Sequence, residues 1–566
     1  MRKFKYFLFL AFLFVSLLTY SQQQYPQHYF SSPLKIPITL AGTFGELRAN
    51  HFHSGLDIKT LGKEGLKVYA PADGYISRIK VSQWGYGKAL YITHPNGYTT
   101  VYAHLSRFAA PIQAYIKKVQ YRKQSYDTGN LFFGPEKFRI KKGQVIAYTG
   151  DTGSSGGPHL HFEIRNTKSE KVINPMFFGV KPTDTKAPVF KKLMVYPLSN
   201  DARINSTATK TIIPIKNIGN NTYVGDRIMA SGVIGFGVDV FDQLNGAPNH
   251  NGIYSLEMKV NGLPMYYHNV ETFSFQESKY INLLIDYSYF AKYRNRIQKT
   301  YKTNSNKLSI YKNLINNGKL KIENGASYQV EIIAKDFKGN TSTVKIPIKG
   351  VETTLLFKTK DTTPYKITAK NFTKFKQKNV TVAFPKNTFY EDCYLDFEVA
   401  DNIAKIHEPT IPLDKSYTLT FDVSNYSESQ KKQLYIANVT KKNSSYYVTT
   451  RKKENIMYTL VKNLGSYTLK SDTQSPTITL VNFKNNQWVS KLNNLKVKIT
   501  DSDSGIDIYR ATIDNQWVLM EYNHKKGILT YDFNDKKLVG SKHVFKLAVS
   551  DNVGNTKNIS VTFFRK

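Results

Sequence analysis

Residues 153–163 read Gly-Ser-Ser-Gly-Gly-Pro-His-Leu-His-Phe-Glu, and this stretch decides how the N-terminal part of the chain is interpreted. On a β-strand, residues i and i+2 share a face, so His159 and His161 can point into one site. One of them could then bind a metal while the other handles protons. The glycines resemble a phosphate-binding loop only superficially, because the lysine and the following helix of such a loop are missing.

Two further histidine groups precede this stretch, His-Phe-His-Ser-Gly-Leu-Asp at 51–57 and Tyr-Ala-His-Leu at 102–105. Gly55 allows a close backbone turn, so the His53 nitrogen and the Asp57 carboxylate can converge on one centre. Two imidazoles and one carboxylate suit a catalytic zinc ion, which keeps a fourth position for water. His51 is an alternative ligand, but it lacks the Gly and Asp at the following spacing.

The sequence around these groups predicts an antiparallel sheet with hairpins. Short strand-like segments such as 67–70 and 89–92 alternate with turn sequences, Asp-Gly at 73–74 and Pro-Asn-Gly at 95–97.

Four motifs together resemble the lysostaphin family of zinc peptidases, also called LytM-like. They are His-x-Gly-x-Asp at 53–57, Tyr-x-His-Leu at 102–105, Lys-Lys-Gly-Gln at 141–144 and the stretch 153–163. The resemblance covers about residues 40–180. It implies an antiparallel β-sheet catalytic domain that hydrolyses peptide bonds in bacterial peptidoglycan.

The resemblance also implies roles for five residues. His53, Asp57 and His161 correspond to the ligands of one Zn²⁺ ion, and His104 and His159 to the two histidines that act on the water and the transition state. We favour His159 as the general base, although the sequence leaves the roles of the two histidines open. Glu163, two residues after His161, is interpreted as a supporting or structural residue rather than the base.

The N-terminus and the charge indicate export. A basic start and an apolar run shorter than a membrane span predict a signal peptide over residues 1–21 and no transmembrane anchor after its removal. The formal charge is +37, which favours attraction to an anionic cell-envelope surface in the periplasm or outside the cell, and not to nucleic acid. Lysine-rich strand faces would explain the same charge. The only cysteine, Cys393, is expected to be structural.

Downstream repeats predict about three β-sandwich domains after a catalytic domain at 22–182. Asp-Thr-Lys-Ala-Pro at 184–188 recurs as Asp-Thr-Gln-Ser-Pro at 472–476, and Asp-x-x-Gly-Asn occurs at 336–340 and 551–555. Immunoglobulin-like sandwiches are therefore expected at 183–351 and 471–566, with a sandwich of uncertain type at 352–470.

An insertion at 107–140 separates two of the catalytic motifs. Pro111 can begin a helix in which Ile112, Tyr115, Ile116 and Val119 recur at helical spacing. Basic residues occupy its other faces: Lys117, Lys118, Arg122 and Lys123. The insertion is expected either to form a wall of the cleft or to be a surface elaboration away from it.

The predicted function is that of a zinc metalloendopeptidase acting on the stem or crosslink peptides of peptidoglycan. Two alternatives remain open at this point. One is a non-catalytic binding or regulatory protein, and the other is a secreted peptidase that cleaves glycine-rich or elastin-like proteins.

Overall fold

The computed structural model describes residues 25–352 and 362–566. The predicted signal peptide lies outside the described residues. The fold is mainly β, as predicted, and falls into four units: a first unit (25–182), a second (189–350), a third (365–471) and a fourth (477–564). Within the described ranges, no helix is both long and apolar enough to cross a membrane.

The first unit contains a large antiparallel sheet with strand order β1-β2-β11-β6-β5-β4-β8. A second, small sheet has the order β3-β10-β7. Its elements are β1 (Leu40–Gly42), β2 (Leu56–Lys59), β3 (Lys67–Tyr69), β4 (Gly74–Val81), β5 (Lys88–Thr93), β6 (Tyr98–Ala103), β7 (Arg107–Phe108), α1 (Ala110–Lys123), β8 (Gly129–Phe132), β9 (Arg139–Ile140), β10 (Val145–Tyr148), β11 (His159–Asn166), β12 (Val172–Ile173) and a 3₁₀ helix, Pro175–Phe178.

Strand β11 lies in the middle of this sheet and places the histidines. It pairs with β2 on one side and β6 on the other, with His161 opposite both Asp57 and Ala103. Leu160, Phe162 and Ile164 alternate with the polar residues and enter the apolar core. The strand therefore has one face for packing and one for the site.

The insertion forms the predicted helix. Pro111 lies in the first turn of α1, and Ile112, Ile116 and Val119 are buried. Lys117 forms ion pairs with the fourth unit through Asp532 and Asp535. The apolar stripe therefore packs on the first unit while part of the basic face contacts a distant part of the chain.

The second unit pairs its long strands β13, β18, β26 and β25 side by side, with parallel pairing where β26 meets β17 and β18. Its elements are β13 (Val189–Pro197), β14 (Arg203–Ile204), β15 (Thr211–Ile213), β16 (Ile215–Gly219), β17 (Thr222–Gly225), β18 (Ile228–Phe241), β19 (Ser255–Val260), β20 (Leu263–Asn269), β21 (Thr272–Phe273), α2 (Ile281–Leu284), α3 (Tyr287–Tyr293), β22 (Gln298–Lys299), β23 (Tyr311–Leu314), β24 (Leu320–Ile322), β25 (Ser327–Lys335), β26 (Thr341–Gly350) and 3₁₀ helices at Ser278–Tyr280 and Asn316–Gly318.

The third unit encloses its core with two five-stranded sheets, β28-β29-β33-β37-β36 and β31-β32-β38-β34-β35. Its elements are β27 (Tyr365–Ile367), β28 (Thr373–Gln377), β29 (Val380–Phe384), β30 (Cys393–Leu395), β31 (Phe397–Ala400), β32 (Ile403–Ile406), β33 (Tyr417–Asp422), α4 (Glu428–Gln433), β34 (Leu434–Asn438), β35 (Tyr446–Val448), β36 (Arg451–Lys453), β37 (Ile456–Val461) and β38 (Gly465–Ser471).

The fourth unit has a four-stranded and a five-stranded sheet around one core, β39-β41-β45-β44 and β40-β47-β46-β42-β43. Its strands are β39 (Thr477–Leu480), β40 (Gln487–Trp488), β41 (Asn494–Thr500), β42 (Ile506–Ile513), β43 (Gln516–Trp517), β44 (Glu521–Asn523), β45 (Ile528–Asp532), β46 (Lys542–Asp551) and β47 (Thr556–Phe564). That the second and fourth units are immunoglobulin-like remains a prediction.

The first and second units share an apolar core. Strand β12 pairs with β21, and the Phe273 ring lies 5.0 Å from the Phe44 ring and 5.2 Å from the Phe52 ring between centroids. The Phe52 backbone amide donates to Ser278 Oγ at 2.7 Å. The predicted boundary at 182/183 therefore lies between units whose cores are continuous.

The fourth unit packs against the first. Lys88 Nζ lies 2.8 Å from Glu521 Oε2, and Lys525 Nζ lies 2.8 Å from Asp151 Oδ1. The Trp84 and His524 rings are 4.0 Å apart between centroids. These polar and aromatic contacts place the fourth unit beside the loop that leads into β11.

We expect the Phe273→Ala substitution to destabilise the first unit, although the residue belongs to the second. Removing a fully buried phenylalanine ring from a packed core typically costs about 3–5 kcal/mol, and Phe273 is fully buried. The measurement is the midpoint of chemical denaturation of the full chain. The exposed Phe372 provides a matched control, and Phe372→Ala should leave the midpoint unchanged. An unchanged midpoint in Phe273→Ala would contradict the shared core.

Candidate metal centre and catalytic site

Three side chains converge at the edge of β2 and β11. His53 precedes β2, Asp57 lies within it and His161 lies opposite Asp57 on β11. His53 Nε2 is 3.0 Å from Asp57 Oδ1 and 3.1 Å from His161 Nδ1, and the latter is 2.9 Å from Asp57 Oδ1. All three residues are buried. The structure thus brings together two nitrogens and one carboxylate oxygen around a common point.

Each ligand imidazole is oriented through its other nitrogen. His53 Nδ1 donates to the Thr43 carbonyl at 2.7 Å, and His161 Nε2 donates to Glu163 Oε1 at 2.9 Å. These bonds leave the facing nitrogens, Nε2 of His53 and Nδ1 of His161, as lone-pair donors. A neutral imidazole with one nitrogen fixed in this way is the form that ligates metals.

The carboxylates of Asp57 and Glu163 shift the protonation of the group. Burial alone would lower the pKa of His161, but hydrogen bonds to Asp57 and Glu163 raise it to about 9. Burial would raise the pKa of Asp57, yet the neighbouring histidines hold it well below its usual range. Without a metal, the two carboxylates therefore keep a proton on His161.

The donor set fits zinc. Tetrahedral Zn²⁺ with ligand bonds of about 2.1 Å separates its ligand atoms by roughly 3.4 Å, and the three atoms here lie 2.9–3.1 Å apart. A small outward movement of the side chains would accommodate the ion. A ligand set of two histidines and one carboxylate, open on one side, is typical of catalytic zinc sites.

Glu163 lies below the site in a buried polar network. It accepts hydrogen bonds from Ser54 Oγ at 2.6 Å, from the Tyr86 hydroxyl and from Arg165 Nε at 2.6 Å. Burial would raise the pKa of Glu163, but Arg165 and His161 hold it well below its usual range. With its oxygens committed to these donors, Glu163 orients His161 and does not act as a base.

His104 and His159 lie side by side at the open edge of the group, with ring centroids 4.8 Å apart. His104 Nδ1 donates to the Thr152 carbonyl and His159 Nδ1 donates to the Gly157 carbonyl, both at 2.8 Å. The two Nε2 atoms are therefore the free ones, and His159 Nε2 is 3.4 Å from Asp57 Oδ1. Burial and the nearby His161 and His159 lower the pKa of His104 to about 3.

The backbone at His104 is left-handed, with φ of 59°. This conformation costs an L-residue roughly 1–2 kcal/mol, and the His104 amide bond to the Tyr86 carbonyl at 2.9 Å helps to maintain it. Such a residue at the end of a strand indicates that the ring direction is fixed by the surrounding structure.

His51 lies apart from the group. It is exposed, and its Nδ1 is 2.8 Å from the Ala49 carbonyl. Of the two candidate ligands that the sequence offers in this segment, the structure brings His53 to Asp57 and His161.

Sequence reasoning missed the residues that support the site: Thr43, Ser54, Tyr86 and Arg165. Arg165 could have been found, because it follows His161 and Glu163 at alternate positions on one strand face. Thr43 directly follows β1 and Tyr86 lies in the turn between β4 and β5, and neither carries a motif, so only the tertiary fold places them at the site.

A cavity of about 690 Å³ lies beside the site, between the first and fourth units. Thr152, whose carbonyl accepts the His104 hydrogen bond, lines it together with Lys88 and Gly153. Glu521 and Lys525 line the opposite side. The cavity thus borders the loop that holds His104 and is bounded by two distant parts of the chain.

Two family profiles match the chain. That of "Peptidase family M23" matches residues 51–130 and 134–175, which contain all five predicted site residues. That of a "Zu5-like domain" matches residues 364–472, the segment expected to be a sandwich of uncertain type.

Individual relatives match over the same N-terminal part. The chain is 38% identical over 113 residues to the DD-carboxypeptidase/endopeptidase Mpg of Neisseria meningitidis, covering 20% of each protein. It is 30% identical over 134 residues to the murein hydrolase activator NlpD of Escherichia coli, covering 24% of this chain and 27% of NlpD. The chain spans about a fifth to a quarter of the length of these relatives.

Among solved structures, the catalytic domain of the antimicrobial peptidase lysostaphin from Staphylococcus simulans is similar. The sequence identity is 23%, the match covers 25% of this chain and 93% of that domain, and the TM-score is 0.19. The chain carries an N-terminal peptidase domain of family M23, of the lysostaphin type, and a Zu5-like domain nearer its C-terminus.

Proposed function

We propose that this protein is a zinc metalloendopeptidase that hydrolyses peptide crosslinks of bacterial peptidoglycan. The observation that carries the proposal is the complete constellation: His53, Asp57 and His161 converge, while His104 and His159 present free Nε2 atoms beside them. A protein that only bound wall peptides would need the metal ligands at most, and not two oriented histidines at the open edge.

The mechanism assigns separate tasks to these side chains. A bound zinc ion would polarise the substrate carbonyl and lower the pKa of water toward about 7. His159 accepts the proton at Nε2, because its Nδ1–H is committed to the Gly157 carbonyl and its Nε2 lies 3.4 Å from Asp57 Oδ1 in the ligand group. His104, neutral and with its Nδ1–H donated to the Thr152 carbonyl, presents Nε2 as an acceptor and can orient the attacking water from the neighbouring side. General acid–base catalysis of this kind contributes about 10²–10⁴-fold to a rate.

We infer that the enzyme acts in the cell envelope after export. Its charge of +37 favours binding to the anionic wall or outer surface. The fourth unit bounds the cavity beside the catalytic loop, so it can contact a wall peptide as well as position the enzyme. The insertion supports this role, because α1 holds the fourth unit in place through Lys117 and through Tyr121, whose ring lies 5.2 Å from that of Trp517.

Two other functions lead to different measurements. NlpD bears the name of a murein hydrolase activator, and an activator would bind wall without cutting it. A peptidase for glycine-rich or elastin-like proteins would cut those chains in preference to peptidoglycan. The five-residue constellation favours an enzyme over an activator.

Alanine substitutions should divide the five residues into two classes. His53→Ala, Asp57→Ala and His161→Ala each remove one of three protein ligands, so the purified variants should lose the bound zinc. His104→Ala and His159→Ala should keep about one zinc per chain but lose roughly 10²-fold or more of the hydrolysis rate. The measurements are metal content by mass spectrometry and hydrolysis of soluble crosslinked muropeptides.

His51→Ala is the matched control for the ligand class, since it removes an imidazole only two positions from His53. It should keep both metal and rate. Zinc loss in the His159 variant would contradict its assignment as the base, and full zinc content in the His161 variant would contradict the ligand set.

Purified sacculi should be solubilised by the full chain, with new amino and carboxyl groups at peptide crosslinks identified by mass spectrometry. Elastin incubated in parallel should remain uncut. The zinc-retaining His159→Ala variant serves as the control, because it should still bind sacculi without releasing fragments. Binding of sacculi by the wild type without new termini would instead favour the activator, and preferential cleavage of elastin would favour the protein-directed peptidase.

A further inference from the structure

Three aspartates converge where the first and second units meet. Asp184 lies in the connecting segment, Asp242 directly follows β18 and Asp336 directly follows β25, and one carboxylate oxygen of each lies within 4.8 Å of the others. Two of the three belong to the motifs that recur later in the chain. The site described above does not use them.

The charges in this group are not compensated by nearby lysines. Burial and the neighbouring Asp184 and Asp336 raise the pKa of Asp242 to about 7, despite the proximity of Lys186. Three carboxylates held this closely repel one another strongly in a buried setting.

Hydrogen bonding in the group is unequal. Asp336 accepts from the backbone amide and the side-chain amide of Asn340, at 2.9 and 2.6 Å. Asp184 accepts from the Lys186 amide at 3.1 Å. Asp242 is only 3% exposed, and its Oδ1 is buried with no hydrogen-bond partner among the described residues. A buried carboxylate oxygen without a donor normally implies a missing partner.

Asn251 adds a second buried group of this kind. It forms an isolated antiparallel bridge with Asp242, through backbone hydrogen bonds of 2.8 and 2.9 Å. Directly opposed residues in such a bridge project their side chains to the same side. Asn251 is 2% exposed, and neither atom of its amide has a partner within the described part of the chain. A second buried polar side chain without a partner therefore follows from the same bridge as Asp242.

A small cavity lies at the same place. Its volume is about 20 Å³, and its lining includes Asp184, Asp242, Thr43 and Gly252. A cavity needs roughly 10–15 Å³ to hold one water-sized sphere. Apolar side chains such as Phe44 and Leu244 line the rest of the cavity, so its polar part lies at Asp184 and Asp242.

We propose that Asp184, Asp242 and Asp336 bind one Ca²⁺ ion at the junction of the first and second units. All three ligands offer oxygen, which hard cations prefer, and soft or nitrogen ligands are absent from the set. Ca²⁺ accepts irregular sets of 6–8 oxygens, whereas Mg²⁺ demands near-ideal octahedral geometry. Bidentate carboxylates and water can complete the coordination.

The calcium site connects to the metal centre of the first unit through two residues. Gly252, which follows Asn251, donates its amide to Thr43 Oγ1 at 3.2 Å and accepts from the same hydroxyl at 3.4 Å. The Thr43 carbonyl in turn accepts from His53 Nδ1. Calcium would thus fix the connecting segment against the second unit and steady the residue that orients His53.

The fourth unit contains a similar group that provides an internal control. Asp472, Asp501 and Asp551 also converge. Here, however, Asp551 Oδ1 accepts from three backbone amides and Asp501 Oδ1 accepts from two. Because backbone donors satisfy these carboxylates, we assign the ion only to the group at Asp242.

The test is calcium titration of the full chain by isothermal calorimetry, after removal of all metals and restoration of one equivalent of zinc. The wild type should take up one Ca²⁺ per chain, and its melting temperature should rise by several degrees in calcium. Asp242→Asn should abolish both effects, and Asp501→Asn should retain both. In metal-free buffer Asp242→Asn should melt no lower than the wild type, because it removes a repelling charge without changing the side-chain shape.

Three results would overturn the proposal: no calcium uptake by the wild type at millimolar concentration, uptake by Asp242→Asn equal to that of the wild type, or loss of uptake in Asp501→Asn. Titration with MgCl₂ should give at least 10-fold weaker binding, and equal affinity would contradict the assignment to Ca²⁺. Zinc content and hydrolysis are separate readouts, so the outcome does not depend on the proposed peptidase function.

Discussion

The pairing of Asp57 with His161 across β2 and β11 is the constraint on which the candidate metal centre depends. Side chains alternate between faces along a strand, so a slip of one residue would turn His161 into the apolar core and Leu160 toward the site. The burial of Leu160, Phe162 and Ile164 fixes the register. Hydrophobic packing on one face of β11 therefore determines the ligand geometry on the other.

Below the paired strands, the buried charged side chains are compensated by side chains of opposite charge. Arg165 neutralises Glu163, Glu163 fixes His161, and Arg48 lies 3.2 Å from the Asp57 oxygen that faces away from the histidines. Buried ions are tolerated when their hydrogen bonds are complete. The negative charge that remains at Asp57 is concentrated on the side where a cation would bind.

The sequence was sufficient to predict those parts of the structure that depend on the spacing of neighbouring residues. Residue periodicity predicts the alternation around His161, the helix that contains Pro111 and the mainly β architecture. The sequence motifs pointed to His53, Asp57, His104 and His159, which the structure places close together. It was insufficient where strands distant in the chain meet. Phe273 reads as an ordinary alternating residue, and nothing in its neighbourhood indicates that it packs on Phe44 and Phe52. The same applies to Tyr86 beneath the site.

The contact between Lys88 and Glu521 joins residues 433 positions apart. At a synthesis rate of about 5–20 residues per second, a ribosome needs roughly 20–90 s to travel that distance. For most of this interval, once His161 has been added, the residues of the candidate metal centre already exist while Lys88 lacks its anionic partner. A chain that stopped between His161 and Glu521 would contain every residue of the candidate site but not the partner of Lys88. The surface of the first unit at Lys88 is therefore complete only after the fourth unit has been synthesised.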